Sequence, residues 1–206
     1  MNNLTRVGID IDGPMYELYT AVTDIVGMET QLQEWEFYRE WGWTEEEFNE
    51  FYADAILNKD LLNRVPASYG VKTTMELLKN MGYELVLCTV RGVGLADEIK
   101  DAAQQQTVDW LQQNKVPYDE LIFSTNKTDA RSFCFFDDNI QNYEAVARTR
   151  SCVSWLYSLP YNERHHAPNR VHEFRHIPSA VVWSRERIRR STDNNGGRLR
   201  RKTFLV

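Results

Sequence analysis

Four aspartates stand in two short clusters far apart in the chain, Asp10-Ile11-Asp12-Gly13 and Asp137-Asp138. Each cluster follows an apolar run short enough to be a strand. Carboxylates repel when gathered: two unit charges 4 Å apart cost about 4 kcal/mol at an effective dielectric near 20. Bringing Asp10, Asp12, Asp137 and Asp138 to one edge therefore calls for a cation. Hard oxygen ligands with open positions suit Mg²⁺ better than Zn²⁺, and Lys127 offers a further positive charge. An aspartate on a rigid strand end beside a divalent ion is a candidate nucleophile toward phosphorus, which points to Asp10. Asp12, two residues on across a turn, is placed to protonate a departing alcohol and then to deprotonate a water. Thr89 offers a hydroxyl to a phosphate oxygen. The loop after Asp10 offers backbone N–H groups, kept close to a ligand by Gly13.

These residues need a scaffold that lines them up. Leu4–Ile11, Tyr83–Cys88, Leu121–Ser124, Ser132–Phe136 and Cys152–Tyr157 are apolar, β-rich runs of strand length. Between them, Val71, Met75 and Leu78 share a helical face stopped by Gly82, and Ala102–Asn114 is a second helix with Val108 and Leu111 inward. Strands alternating with helices imply a parallel sheet with right-handed crossovers. The polar clusters fall after the first, second and fourth strands, the edge where open α/β sheets bind ligands. Residues 16–65 are different in character, with Trp35, Phe37, Tyr38, Trp41, Trp43, Phe48, Phe51 and Tyr52 among many acids. Thr44-Glu45-Glu46-Glu47 is a capping box that starts a helix there. The expected fold is thus a Rossmann-like parallel sheet of about five strands with a small helical insertion after the first.

The 206 residues, 42% hydrophobic, suit one α/β domain plus that insertion and bury a core without staples. The net charge of −6 is uneven: residues 185–202 carry +6, which leaves −12 for the rest. So acidic a body excludes a general nucleic-acid binder. The N-terminus lacks a basic flank followed by an apolar stretch, so no secretory signal is expected. No apolar run nears the roughly 18 residues that cross a bilayer. Cys88, Cys134 and Cys152 are odd in number and widely spaced, which fits buried reduced thiols in a cytoplasmic protein.

Plainer readings compete with each feature. Asp-x-Asp-Gly alone also marks turns and calcium loops; Thr89, Lys127 and Asp137-Asp138 following in order make the catalytic reading the stronger one. The aromatic residues of 16–65 are mainly core, with Trp41 and Trp43 as candidates to stack on a base. His165, His166, His172 and His176 lie in a tight run, but their spacing fits no compact zinc site and a surface loop is expected. The basic end, Arg185 to Lys202, is expected to be a mobile, solubilising tail, with a grip on nucleic acid as the alternative.

Taken together, Asp10-Ile11-Asp12-Gly13, Thr89 closing the second strand, Lys127 and Asp137-Asp138 resemble the four signatures of the haloacid dehalogenase superfamily, over about residues 4–180. Within it the chain most resembles the 5'(3')-deoxyribonucleotidases, through the all-helical cap, the step from Lys127 to Asp137, and Leu159-Pro160-Tyr161-Asn162. The resemblance implies Asp10 as nucleophile and Asp12 as general acid/base. It implies Mg²⁺ held by Asp10, the Asp12 carbonyl and Asp138, with Asp137 supporting. Thr89, Val90 and Lys127 would bind phosphate, and Arg91, Trp41 and Trp43 would meet the rest of the substrate. Two positions depart from the pattern: Pro14 replaces the usual Thr or Val, and Val90-Arg91 stand where a small hydroxyl residue is common. The expected layout is a core of 1–15 and 66–184, a cap of 16–65, and a tail of 185–206. The expected activity is phosphate release from nucleoside monophosphates. The alternatives are terminal phosphates of DNA or RNA, or an idle nucleotide-binding module. Oligomeric state is left open, a homodimer being one option.

Overall fold

The computed structural model describes residues 4–149 and 151–201, with side chains through Ser191. Six parallel strands run in the order β3-β2-β1-β4-β5-β6. They are β1 (Arg6–Ile9), β2 (Glu84–Thr89), β3 (Glu120–Phe123), β4 (Cys134–Asp137), β5 (Val153–Tyr157) and β6 (Arg170–Val171). The sixth, a two-residue strand after the fifth expected one, is too short to leave a periodic signal. Register pairs Ile9 with Leu87 on one side and Phe136 on the other, so β1, β2 and β4 deliver their following residues to one place. Strand order reverses at β1, and a crevice at the carboxyl ends of such a switch is where this architecture takes ligands. β1 is buried from Val7 to Ile9, as a strand covered on both faces must be. Gly8 is needed here because the Phe135 ring lies over it: an added Cβ would fall 2.3 Å from Phe135 Cδ2.

Helices α1 (Leu18–Val26) and α2 (Glu45–Lys59), with short 3₁₀ turns at Phe37–Trp41 and Leu61–Asn63, fill the stretch between β1 and the next core helix. α2 starts at the expected capping box: Thr44 accepts from the Glu47 N–H, and the Glu47 carboxylate accepts from the Thr44 N–H. The insertion is joined to the core, not hung from it. Leu61 and Leu62 are fully buried in one apolar cluster with Val7, Ile9 and Trp110. Gln106 of α4 (Asp97–Gln113) accepts from the Leu62 N–H at 3.1 Å and donates to the Ile56 carbonyl at 2.6 Å. α4 starts five residues earlier than expected, at Asp97 instead of Ala102. Its inward stripe is Ala103, Thr107, Trp110 and Leu111; Val108, expected inside, is half-buried. α3 (Val71–Asn80) and α5 (Ile140–Arg148) complete the crossovers. The basic segment expected to form a tail from 185 begins inside a helix, α6 (Ile177–Arg201); residues 202–206 lie outside the described ones. No helix among the described residues is long and apolar enough to cross a membrane.

Candidate active site

The edge at the ends of β1, β2 and β4 gathers the residues singled out by type. Asp10 leaves β1, Thr89 ends β2, and Asp137-Asp138 close β4. Lys127 opens a 3₁₀ turn whose start is held by Asn126 Oδ1, which accepts from the Thr128 N–H at 3.2 Å. The Lys127 ammonium is buried beside the acids, 3.0 Å from Asp10 Oδ1 and 3.9 Å from Asp137 Oδ2. It also donates to the Cys88 carbonyl at 2.8 Å. Asp10 Oδ1 accepts in addition from the Ile11 N–H at 2.8 Å. Asp137 Oδ1 accepts from the Asn139 N–H at 2.8 Å and from Asn142 Nδ2 at 3.3 Å.

One lysine does not neutralise this edge. Asp10, Asp137 and Asp138 each present an oxygen within 4.8 Å of the others, and among the described residues they are the one group able to hold a metal. Asp137 Oδ2 and Asp138 Oδ1 are buried and accept nothing from the protein. Such orphaned oxygens are expensive unless an ion meets them. Burial, with Asp10 second, raises the Asp137 carboxyl to about 8. Burial likewise raises Asp10 and Asp138 above their ordinary range. For Lys127, burial opposes the charge, but Asp10 and Asp137 more than offset it and its pKa rises. Gly13 completes the cradle: at φ +86° an added Cβ would lie 2.2 Å from Asp138 Cγ. The residues present fit a small, hard divalent cation.

Beyond the acids a cleft of about 270 Å³ separates core from insertion. Asp12, Gly13 and Asp138 form its floor; Trp35, Phe37, Tyr38, Phe48, Glu45 and Asn49 form its far wall, with Tyr161 at the side. Trp41 and Trp43, expected at the substrate, are not among its lining residues. Trp41 packs on Phe37 and donates Nε1 to the Glu29 carbonyl at 2.8 Å, and Trp43 packs on Phe51. Trp35, which packs edge-on against Tyr161, is the tryptophan that reaches the cleft. Thr89 is fully buried, and Val90 is exposed at 41% beside it. Arg91 is buried, pairs with Asp12 and is not among the residues that line the cleft. The histidines do not converge: His166, His172 and His176 are exposed, and His165 lies against Tyr143.

Sequence reasoning gave no role to two residues. The Tyr161 hydroxyl donates to Asp138 Oδ2. Asn162 Nδ2 donates at 2.8 Å to the carbonyls of both Asp138 and Tyr157. Their adjacency in Leu159-Pro160-Tyr161-Asn162 is the signal that pointed at them, and it gave no partner.

Comparison with known proteins supplies a family. The model of the family described as 5' nucleotidase, deoxy (pyrimidine), cytosolic type C protein matches residues 3–187. The chain belongs to this family. It is a phosphatase of the haloacid dehalogenase superfamily, and the nucleotidase-family match spans both sheet and helical insertion. It is similar to a Chlorobaculum tepidum protein described as "Putative 5'(3')-deoxyribonucleotidase", 24% identical over 148 residues, 68% of this chain and 72% of that one. Its fold is similar to that of a Thermotoga maritima protein solved as a "putative beta-phosphoglucomutase" (TM-score 0.54, 16% identity, 86% of this chain and 98% of that one). At that identity the likeness is one of fold alone.

Proposed function

We propose that this nucleotidase-family phosphatase is a Mg²⁺-dependent 5'(3')-(deoxy)ribonucleotidase that releases phosphate from nucleoside monophosphates through a phosphorylated Asp10. The observation that carries the reading is the buried set Asp10, Asp137 and Asp138 with Lys127 among them, which reaches an aromatic cleft through Asp138. Mg²⁺ held by Asp10, Asp138 and the Asp12 carbonyl, with Asp137 in support, would supply charge neutralisation for an incoming phosphate.

The chain's own groups do the rest. The Ile11 N–H and Lys127 fix Asp10 Oδ1, which orients the carboxylate for attack on phosphorus. Lys127, at the start of its 3₁₀ turn, and Thr89, at the end of β2, would bind the phosphoryl oxygens. As the bond from Asp10 to phosphorus forms, the ester bond to the nucleoside breaks and Asp12 gives the leaving oxygen a proton. Asp12 then takes a proton from water, whose oxygen attacks phosphorus and frees Asp10 with inorganic phosphate. The aromatic wall of Trp35, Phe37, Tyr38 and Phe48 is suited to a base ring. The three cysteines are unpaired, and burial pushes the Cys88 and Cys152 thiols up to about 12, so they stay protonated and inert. A cytoplasmic setting, in keeping with the cytosolic family it belongs to, goes with this reading.

A phosphate-release panel of nucleoside monophosphates, sugar phosphates and phosphorylated oligonucleotides, with Mg²⁺ or EDTA, tests the reading. Release from monophosphates with Mg²⁺ and its loss in EDTA are expected. Asp10→Asn should abolish turnover and leave the fold intact by circular dichroism; substantial residual activity in that variant removes Asp10 as nucleophile.

A further inference from the structure

Arg91 is the least expected charge in the molecule. Its side chain is fully buried, while that of Asp12 is 20% exposed. Arg91 Nε donates to both Asp12 oxygens, at 3.1 and 3.0 Å, and Nη2 donates to Oδ1 at 2.6 Å. A planar fork that meets a carboxylate in this way fixes direction as well as distance. The fork is itself held. The Tyr16 ring lies 4.4 Å from the guanidinium carbon, and Trp110 lies 5.8 Å away. Tyr16 is anchored through its hydroxyl to the Leu61 carbonyl, and Trp110 through Nε1 to the Val65 carbonyl at 2.8 Å. Arg91 Nη1 is buried with no hydrogen-bond partner. A buried guanidinium left partly unsatisfied is a poor device for stability alone.

We infer that Arg91 is a positioning residue: it holds the Asp12 carboxylate in the orientation needed for proton transfer at the leaving oxygen, and it does not touch substrate. The inference rests on the proposed aspartyl-phosphatase reading. Asp12 lines the cleft and Arg91 does not, so whatever Arg91 contributes to the reaction reaches the substrate through Asp12. Misplacing a proton donor by about 1 Å can cost about 100-fold in rate.

Leaving-group dependence separates this role from a structural one. A nucleoside alkoxide must be protonated as it leaves; a nitrophenolate need not be. kcat/KM is the parameter to compare, because it reports the steps through departure of the leaving group and not the later hydrolysis of phosphorylated Asp10. In Arg91→Met, kcat/KM for a nucleoside monophosphate should fall about 100-fold, within the range for loss of a general acid. The value for p-nitrophenyl phosphate should stay within about 3-fold. Arg91→Lys keeps the charge without the fork and should show the same asymmetry in weaker form, which covers the case in which Arg91→Met does not fold. In the Asp10→Asn background, Arg91→Met should leave monophosphate binding by calorimetry unchanged. Equal losses on both substrates would overturn the inference, as would weakened binding in that background. If Asp12→Asn shows no leaving-group asymmetry, the assignment of Asp12 fails and the inference with it. If the wild-type protein releases phosphate from neither substrate, the underlying reading is what fails.

Discussion

At the scale of single residues, the two oxygens of Asp138 have different jobs. Oδ2 is taken by the Tyr161 hydroxyl, and Oδ1 is buried and free for a cation. A partner that occupies one oxygen fixes the plane of the carboxylate and so aims the other. Tyr161→Phe removes that constraint with little change of volume. Its apparent Mg²⁺ affinity should drop about 10-fold, the lower end of what outer-shell partners contribute, with little change in kcat at saturating metal. Activity titrated against Mg²⁺ checks this; an unchanged midpoint would show that Asp138 needs no such support. The clustering of Asp10, Asp137 and Asp138 was legible in the sequence, because like charges at strand ends have no comfortable arrangement without a cation; the Asp12 carboxylate, expected with them, is met by Arg91 instead. Tyr161 was not, because a tyrosine after a strand packs far more often than it orients a carboxylate. The surroundings of Arg91 were not legible for a related reason. Its place next to Thr89 suggests a substrate contact, and the structure pairs it with Asp12 and packs it on Tyr16, both distant in the chain.

At the scale of elements, strands and crossover helices were readable because their local patterns agree with their final burial. The short pieces were not. β6 and the turn at Pro160–Asn162 are tied by side-chain bonds converging on Asn162, one of them reaching back to Asp138. Beyond its two donated bonds, its Oδ1 accepts from the Leu159 N–H at 3.1 Å and from Arg170 Nη1 at 3.0 Å. One buried amide thus ties the end of β4 to the end of β5 and to β6. Asn162→Ala leaves several of these groups unpaired in the interior, which should destabilise the protein by about 2–3 kcal/mol. Because the Asp138 carbonyl is among them, catalytic activity should fall as well. Urea unfolding of the variant measures the first effect, and a loss below 0.5 kcal/mol or so would mean that water replaces the amide without penalty.

At the scale of the whole molecule, the acid cluster couples folding to pH. The Asp137 carboxyl titrates at about 8 in the folded protein against an ordinary 3.8, chiefly because it is buried. Below the lower value both states hold the proton. Between the two, the folded state keeps a proton that the unfolded chain has lost, so the metal-free fold loses stability as pH rises through that window. Asp10 and Asp138 are shifted the same way and add to the trend. In EDTA the melting temperature should therefore decline from about pH 5 to about pH 8, and the increment given by Mg²⁺ should grow over the same range. A melting temperature that climbs with pH in EDTA would contradict this.

The way the insertion is rooted has its own consequence. Chain entry and exit meet where the Ser68 N–H donates to the Met15 carbonyl at 2.9 Å, and Ile56, Leu61 and Leu62 share the core's interior. A flap nailed along one side can lift only at the other. Ventilation of the cleft is thereby left to the outer margin that carries Trp35 and the start of α2. Amide hydrogen exchange should be quick around residues 31–49 and slow around 55–67. A visitor to this enzyme would come in past a tryptophan doorpost, while the hinge side stays shut.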